Sequence, residues 1–137
     1  MSSKRERRVM GLTGGKNILV KVIYRGALWF EGLEVDVSTN SKLDPVKSIL
    51  DSKYLGQARV LVVDYDLWQG TSSLENLRER LGVPLVVMRD EEVDEALSDK
   101  VNLKGLCSCS NIPEALRVAR LILNEIIESS LVKGLQG

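Results

Sequence analysis

The order of alternating and continuously apolar segments is the feature that most constrains this chain. Residues 7–15 read as a short strand ending in glycines, and residues 16–26 and 27–38 alternate apolar with polar side chains. Residues 58–66 and 83–90 instead carry apolar runs on both faces, which is typical of buried parallel strands. The sequence therefore predicts a three-stranded antiparallel meander, with one solvated face toward its end, followed by two central strands.

Local signals place helices around the two buried strands. Asp44 followed by Pro45 indicates a helix start, because aspartate caps free N–H groups and proline fits the first turn. Ser72 with Glu75 three residues later is a capping-box pattern that opens a helix ending at Gly82.

The C-terminal third contains weaker and stronger signals. Residues 91–98 are expected to form a short acidic helix, and residues 101–108 a small strand or an extended connection. Asn111 and Glu114 bracket Pro113 at the start of a long final helix with apolar residues at helical spacing.

This order predicts an α/β fold with a ribonuclease-H-like mixed five-stranded sheet, three antiparallel strands followed by parallel strands, flanked by helices. In that arrangement the first strand lies beside the fourth, and sites form near the carboxyl ends of the central strands. A flavodoxin-like sheet is disfavoured, because helices would then separate the first three strands. The 137 residues suit one domain, with residues 1–6 expected to be a flexible basic N-terminus.

Composition narrows the chemistry and the surroundings. The chain has no histidine, which removes the commonest general base and the serine and cysteine triads that need it. Hydrolysis would then depend on carboxylates and a hard cation, Mg²⁺ or Mn²⁺. Lys plus Arg and Asp plus Glu are 19 each, so net charge does not favour tight nucleic-acid binding. Without a long apolar run or a signal sequence, we expect a cytoplasmic protein with no membrane contact.

Cys107 and Cys109 are one residue apart. In a strand their side chains would point to opposite faces, so they can build neither a disulfide framework nor a four-ligand metal site. We interpret them as core or edge thiols, with redox or partner-derived metal chemistry as the lesser alternative.

Asp64 is the strongest candidate for a functional residue. It ends the apolar run VLVV, so its carboxylate should emerge at the end of a central strand, where open α/β sheets place their sites. Asp66 shares its face if the strand continues that far, and two such carboxylates could bind Mg²⁺ as catalytic metal ligands. The alternative is that both aspartates cap the following loop through local hydrogen bonds.

Three stretches carry a family resemblance: YRGALWFEG (24–32), RVLVVDYDLWQGTSSLENLRERLGVPLVVMRD (59–90) and NIPEALRVARLI (111–122). They resemble the archaeal endonuclease dU family, which is similar to endonuclease V. The resemblance covers most of the chain. It implies a ribonuclease-H-like fold, Mg²⁺-dependent DNA cleavage near a deaminated base, and Asp64 as a metal ligand.

The sequence departs from that family where the family has its acids. The family's first strand usually ends with a glycine, an apolar residue and two aspartates, and here Thr13 and Gly14 stand in the last two places. Tyr65 replaces the glycine after the metal-ligand aspartate, and Arg120 replaces a histidine of the last helix. The acidic cluster is therefore incomplete, unless the fold brings in another acid (Glu31, Asp36, Asp66 or Asp90).

Several residues are candidates for contact with nucleic acid: Thr13, Lys16, Arg117 and Arg120. Guanidinium groups suit phosphates, and Trp29 or Trp68 could stack on bases, although such tryptophans are more often core residues. The sequence leaves the oligomeric state open, a homodimer included.

Two functions follow. The first is a Mg²⁺-dependent endonuclease acting on damaged DNA, and the second is a catalytically inactive module that binds nucleic acid or a protein partner.

Overall fold

The computed structural model describes residues 7–15, 17–38, 43–68, 71–108 and 110–136. Its strands are β1 (Arg8–Gly14), β2 (Ile18–Arg25), β3 (Trp29–Val37), β4 (Val60–Asp64), β5 (Leu85–Arg89) and β6 (Glu92–Val93). Its helices are α1 (Pro45–Leu50), α2 (Thr71–Arg80) and α3 (Glu114–Gln136), with short 3-10 helices at Leu55–Gln57 and Tyr65–Leu67.

The strands form one mixed sheet in the order β3-β2-β1-β4-β5-β6. β2 is antiparallel to β1 and to β3, whereas β4 is parallel to β1 and to β5. The predicted ribonuclease-H-like arrangement, with the first strand beside the fourth, is therefore confirmed. The sheet has one strand more than predicted, because the two-residue β6 pairs antiparallel with β5.

Helices cover the central strands on both faces. On one face, α1 and α2 pack through residues such as Ile49 and Leu77 against Met10 and Leu61. On the other face, α3 packs against the opposite side chains of β1, β2 and β4. The strands at positions 9–12 and 60–63 are buried on both faces, which the continuous apolar run predicts for 60–63.

The predicted start of α1 is confirmed in detail. The Asp44 side chain accepts hydrogen bonds from the backbone N–H groups of Val46 and Lys47, and Pro45 occupies the first turn. Some predicted features lie outside the described residues: the Ser72 side chain, the basic segment 1–6, Lys16 and Cys109.

The predicted acidic helix over 91–98 is wrong. Asp90 has a φ of 54°, which turns the chain tightly from β5 into β6. The following segment is then tied to the edge of β5, because the side chains of Ser98 and Asp99 accept hydrogen bonds from the backbone N–H groups of Val87 and Leu85. These side chains satisfy strand backbone groups, which competes with helix formation.

The chain turns at Lys104–Leu106, where the N–H of Leu106 donates to the oxygen of Leu103, and Cys107 then forms an isolated bridge with Pro113. Cys107 is half-buried, and burial, followed by the charge of Glu114, raises the pKa of its thiol. None of the described helices combines the length and the apolar run that crossing a bilayer requires.

Candidate functional site

Asp64 lies at the carboxyl end of β4, beside the end of β1. Because Leu12 pairs with Val63, the next residues along the two parallel strands, Thr13 and Asp64, are neighbours. The Thr13 hydroxyl donates a hydrogen bond of 2.7 Å to Oδ2 of Asp64, and both residues are buried. The predicted adjacency of Thr13 and Asp64 is confirmed.

Arg120 of α3 forms an ion pair with Asp64. Its Nε donates to Oδ1 at 3.2 Å and to Oδ2 at 3.0 Å, and Nη2 also donates to Oδ1. Nη2 further donates to the backbone oxygen of Asp90 at 2.9 Å. The two side chains are 25% and 12% exposed, so water only partly screens the pair. A guanidinium thus neutralises the acid that the sequence indicates as a metal ligand.

Sequence reasoning identified Arg120 as a candidate for nucleic-acid contact and missed its pairing with Asp64. A buried carboxylate requires a cation or several hydrogen bonds. This requirement was the signal that could have indicated a cationic partner for Asp64.

Asp66 does not extend the site along the strand. β4 ends at Asp64, and Asp66 is exposed within the 3-10 helix Tyr65–Leu67. The alternation that would have placed it on the same strand face therefore stops before it.

Two of the other acids considered as substitutes, Glu31 and Asp36, are engaged elsewhere, whereas Asp90 is exposed and its backbone oxygen accepts a hydrogen bond from Arg120. Glu31 on β3 pairs with Arg8 and Arg25, each at 2.7 Å. Asp36, also on β3, pairs with the buried Lys21 at 2.8 Å. Burial would raise the pKa of Asp36, but hydrogen bonds from Lys21 and Ser48 and the charge of Lys21 lower it below its ordinary value.

The end of β1 leaves no room for the second aspartate of the resembled family. A Cβ atom at Gly14 would lie 2.3 Å from the backbone oxygen of Ile18, because the β1–β2 hairpin closes directly against this position. The absence of an acid at Gly14 is therefore built into the backbone of the hairpin.

The described residues contain no preformed cluster of acidic side chains for a divalent cation. Within ranges 7–15, 17–38, 43–68, 71–108 and 110–136 no three His, Cys, Asp or Glu side chains come together as a metal-binding group. Mg²⁺ prefers several oxygen ligands including carboxylates, whereas Asp64 already faces a hydroxyl and a guanidinium.

A cleft of about 770 Å³ opens beside Arg120. It is lined by Arg89, Asp90, Glu91, Glu92, Asn111, Ile112 and Arg120. The Arg89 guanidinium lies 3.6 Å from the ring centroid of Tyr65 and pairs with Asp94 at 2.5 Å. Tyr65 thus helps to hold one wall of the cleft.

The remaining nucleic-acid candidates are only partly accounted for. Arg117 forms a two-pronged pair with Glu114, at 2.8 Å from Nε and 2.5 Å from Nη2. Trp68 is a core residue with 6% exposure, as the alternative interpretation expected, but its indole N–H has no hydrogen-bond partner among the described residues; Trp29 is 61% exposed. Contact between these residues and nucleic acid stays a prediction.

The Glu114–Arg117 pair predicts a loss of stability in acid. The hydrogen bond from Arg117 lowers the pKa of Glu114 below its ordinary 4.5, against an opposing effect of burial. The pair's contribution is therefore complete above about pH 4.5 and is lost as pH falls through the lowered pKa. Glu114→Gln should remove about 0.5 kcal/mol of stability at neutral pH and flatten the acid limb of a plot of melting temperature against pH. An acid limb as steep as that of the matched Glu128→Gln variant would contradict this assignment.

No family model matches this sequence, and no curated protein is similar to it. Among solved structures, the Thermus thermophilus RuvC structure is similar, with 11% sequence identity and a TM-score of 0.47, covering 85% of this chain and 90% of that chain. The class of the protein is thus defined by its strand order as ribonuclease-H-like, and membership of the endonuclease dU family stays a prediction.

Proposed function

We propose that this chain is a catalytically inactive ribonuclease-H-like domain that contacts a protein partner through the cleft beside Asp64. The observation that carries this proposal is the ion pair between Arg120 and Asp64. It places a fixed organic cation against the acid on which metal-dependent cleavage would depend.

Phosphodiester cleavage by ribonuclease-H-like chemistry needs divalent ions to position water and to stabilise the leaving oxygen. Arginine is permanently protonated and cannot generate a hydroxide or accept a proton from water. A metal at Asp64 would first have to displace the Arg120 guanidinium and would then find a hydroxyl at Thr13 in place of a second carboxylate. The site therefore favours binding without cleavage.

The charges of the cleft favour a protein partner over nucleic acid. Its two guanidiniums are paired, Arg120 with Asp64 and Arg89 with Asp94. Asp90, Glu91 and Glu92 meanwhile expose their side chains around it. Phosphates are repelled by such a surface, whereas a lysine- or arginine-bearing protein segment is attracted.

The runner-up function, a Mg²⁺-dependent endonuclease acting at deaminated bases, is favoured by one observation. Asp64 stands at the carboxyl end of a central strand next to β1, where metal ligands of this fold are expected. For this function Arg120 would have to leave Asp64 when metal and DNA bind.

A nicking assay separates the two functions. Purified protein with Mg²⁺ or Mn²⁺ should leave deoxyuridine- and deoxyinosine-containing duplexes intact, at the same background level as Asp64→Asn. Nicking by the wild type that Asp64→Asn abolishes would establish the endonuclease. Fluorescence anisotropy with the same duplexes should detect no binding, and tight binding without nicking would replace the protein partner with nucleic acid.

A second experiment tests whether the ion pair and the missing carboxylate prevent metal binding. A Thr13→Asp and Arg120→His double variant restores one acid and removes the guanidinium, so Mn²⁺ should raise its melting temperature and leave that of the wild type unchanged. Thr13→Asn with Arg120→His is the matched control, since it lacks the added carboxylate. A wild-type melting temperature that rises with Mn²⁺ would show that the ion pair does not exclude metal.

A short lysine-rich peptide is a direct probe of the acidic cleft. The peptide should bind more weakly to the double variant Glu91→Lys, Glu92→Lys. Its binding should persist in the matched control Glu125→Lys, Glu128→Lys, which reverses two exposed charges on α3. An equal loss of peptide binding in both variants would show that general charge attraction, and not the cleft, holds the peptide.

A further inference from the structure

β3 forms the edge of the sheet and exposes a row of apolar side chains. Phe30, Leu33, Val35 and Val37 are 53%, 42%, 38% and 62% exposed. Their partners on β2 (Tyr24, Val22, Val20 and Ile18) belong to the core on the α3 side. The row therefore continues the apolar face that α3 covers over β1 and β2, but it is itself uncovered within the described residues.

The outer backbone edge of β3 is aligned for further strand pairing. Ser38 donates its N–H to Asn17 at 2.9 Å, on the β2 side. Backbone groups alternate along a strand, so those of Leu33, Val35 and Val37 point away from β2. The strand order ends at β3, which leaves these groups without a partner strand in the described part of the chain.

Only part of the usual protection of an edge strand is present here: β3 has a bulge at Glu31, where Gly32 pairs with Ile23 and Phe30 with Tyr24. Edge strands are commonly guarded by proline, by lysine or by uncompensated charges, and β3 contains neither proline nor lysine. Its acids are neutralised within the chain: Glu31 by Arg8 and Arg25, and Asp36 by Lys21. Glu34 shares Lys21 with Asp36, at 3.6 Å, so the strand keeps negative charge that limits which registers a second strand can adopt.

We propose that β3 pairs with β3 of a second copy of this chain, antiparallel and centred on Leu33. An antiparallel pair has two-fold symmetry, so one strand can serve as its own partner in a closed dimer. Leu33 is the midpoint of Trp29–Val37, and centring there places the bulged stretch Phe30–Gly32 opposite Glu34–Asp36 of the second copy. The two apolar rows then join across the dimer axis.

Charge selects this register over its neighbours. With Leu33 at the centre, Gly32 faces Glu34 of the second copy and no carboxylate faces another. Moving the centre to Glu34 places that residue opposite itself, and moving it to Val35 places Glu34 opposite Asp36. Like charges directly opposite each other destabilise strand pairs.

The first test is the mass of the protein in solution, by light scattering and sedimentation. We expect a dimer, with Leu33→Lys plus Val35→Lys raising the dissociation constant by about tenfold or more. The control is Leu121→Lys, an equally apolar residue 51% exposed on α3, which should remain dimeric. Circular dichroism checks that each variant is folded. A monomeric wild type, or a dimer that only Leu121→Lys disrupts, would overturn the proposal.

Cross-linking tests the register independently of these mutants. In a background with Cys107→Ser and Cys109→Ser, two Leu33→Cys residues would face each other about 5.5 Å apart between Cα atoms, which a disulfide spans. Val35→Cys is the matched control, since its two copies would be offset by four residues, or about 13 Å. Mild oxidation should yield a covalent dimer from Leu33→Cys alone. Preferential cross-linking through Val35→Cys would overturn the Leu33-centred pairing.

Discussion

Arg120→Ala is expected to lower the free energy of unfolding by about 2–4 kcal/mol, measured by urea denaturation at neutral pH. The substitution leaves the Asp64 carboxylate, whose side chain is 12% exposed, with Thr13 as its remaining side-chain partner. An unpaired buried charge costs several kcal/mol, and the 25% exposure of Arg120 places the expected value below the upper limit for a fully buried pair.

The pairwise origin of this loss can be isolated by a double-mutant cycle with Asp64→Asn. Once the carboxylate is neutral, Arg120→Ala should cost at least about 1 kcal/mol less than it does in the wild type. Arg117→Ala is a matched control, because it removes an arginine one turn earlier whose partner Glu114 is on the same helix, a pair worth about 0.3–0.5 kcal/mol. Strict additivity in the cycle would contradict the ion pair as the source of stability.

The sequence was sufficient to predict the first five strands of the sheet and the position of Asp64 at the end of the fourth. Apolar runs on both faces identify central strands, and the chain order then leaves few ways to connect them. Once β1 and β4 are parallel neighbours, Thr13 and Asp64 must lie together, since both follow the paired residues Leu12 and Val63. These predictions depend on backbone geometry, which periodicity encodes.

The pairing of Arg120 with Asp64 could not be predicted from the periodicity of the sequence. It depends on the rotation of α3 about its axis and on the reach of a long side chain, and neither is encoded in apolar spacing. The acidic segment 91–98 was misassigned for a related reason, because hydrogen bonds from Ser98 and Asp99 to β5 override its local composition.

Alternation along β3 revealed two faces but not which of them is covered. The prediction of one solvated face in this part of the meander suggested the side of Glu34 and Asp36. In the structure these acids reach the buried Lys21 and the serines of the α1 region. The apolar side of the strand is the more exposed one, because α3 lies over β1 and β2 and stops short of β3.

Gly11→Ala is expected to destabilise the protein by about 3 kcal/mol, at the upper end for overpacked sites. A Cβ at Gly11 would lie 2.4 Å from the backbone carbon of Ala115 and 2.4 Å from the backbone nitrogen of Leu116. These atoms belong to the first turn of α3, so no side-chain rotation relieves the contact and the helix itself must move. That movement would also withdraw Arg120 from Asp64.

The matched control is Gly56→Ala, where an added Cβ meets nothing within 4 Å and stability should change by about 0.5 kcal/mol or less. If Gly11→Ala disturbs the ion pair through α3, adding Arg120→Ala should then cost about 1 kcal/mol less than it costs alone. Equal stability of the Gly11→Ala and Gly56→Ala variants would show that α3 can move away from β1 freely. The position of Arg120 would then not depend on the close packing of α3 at Gly11.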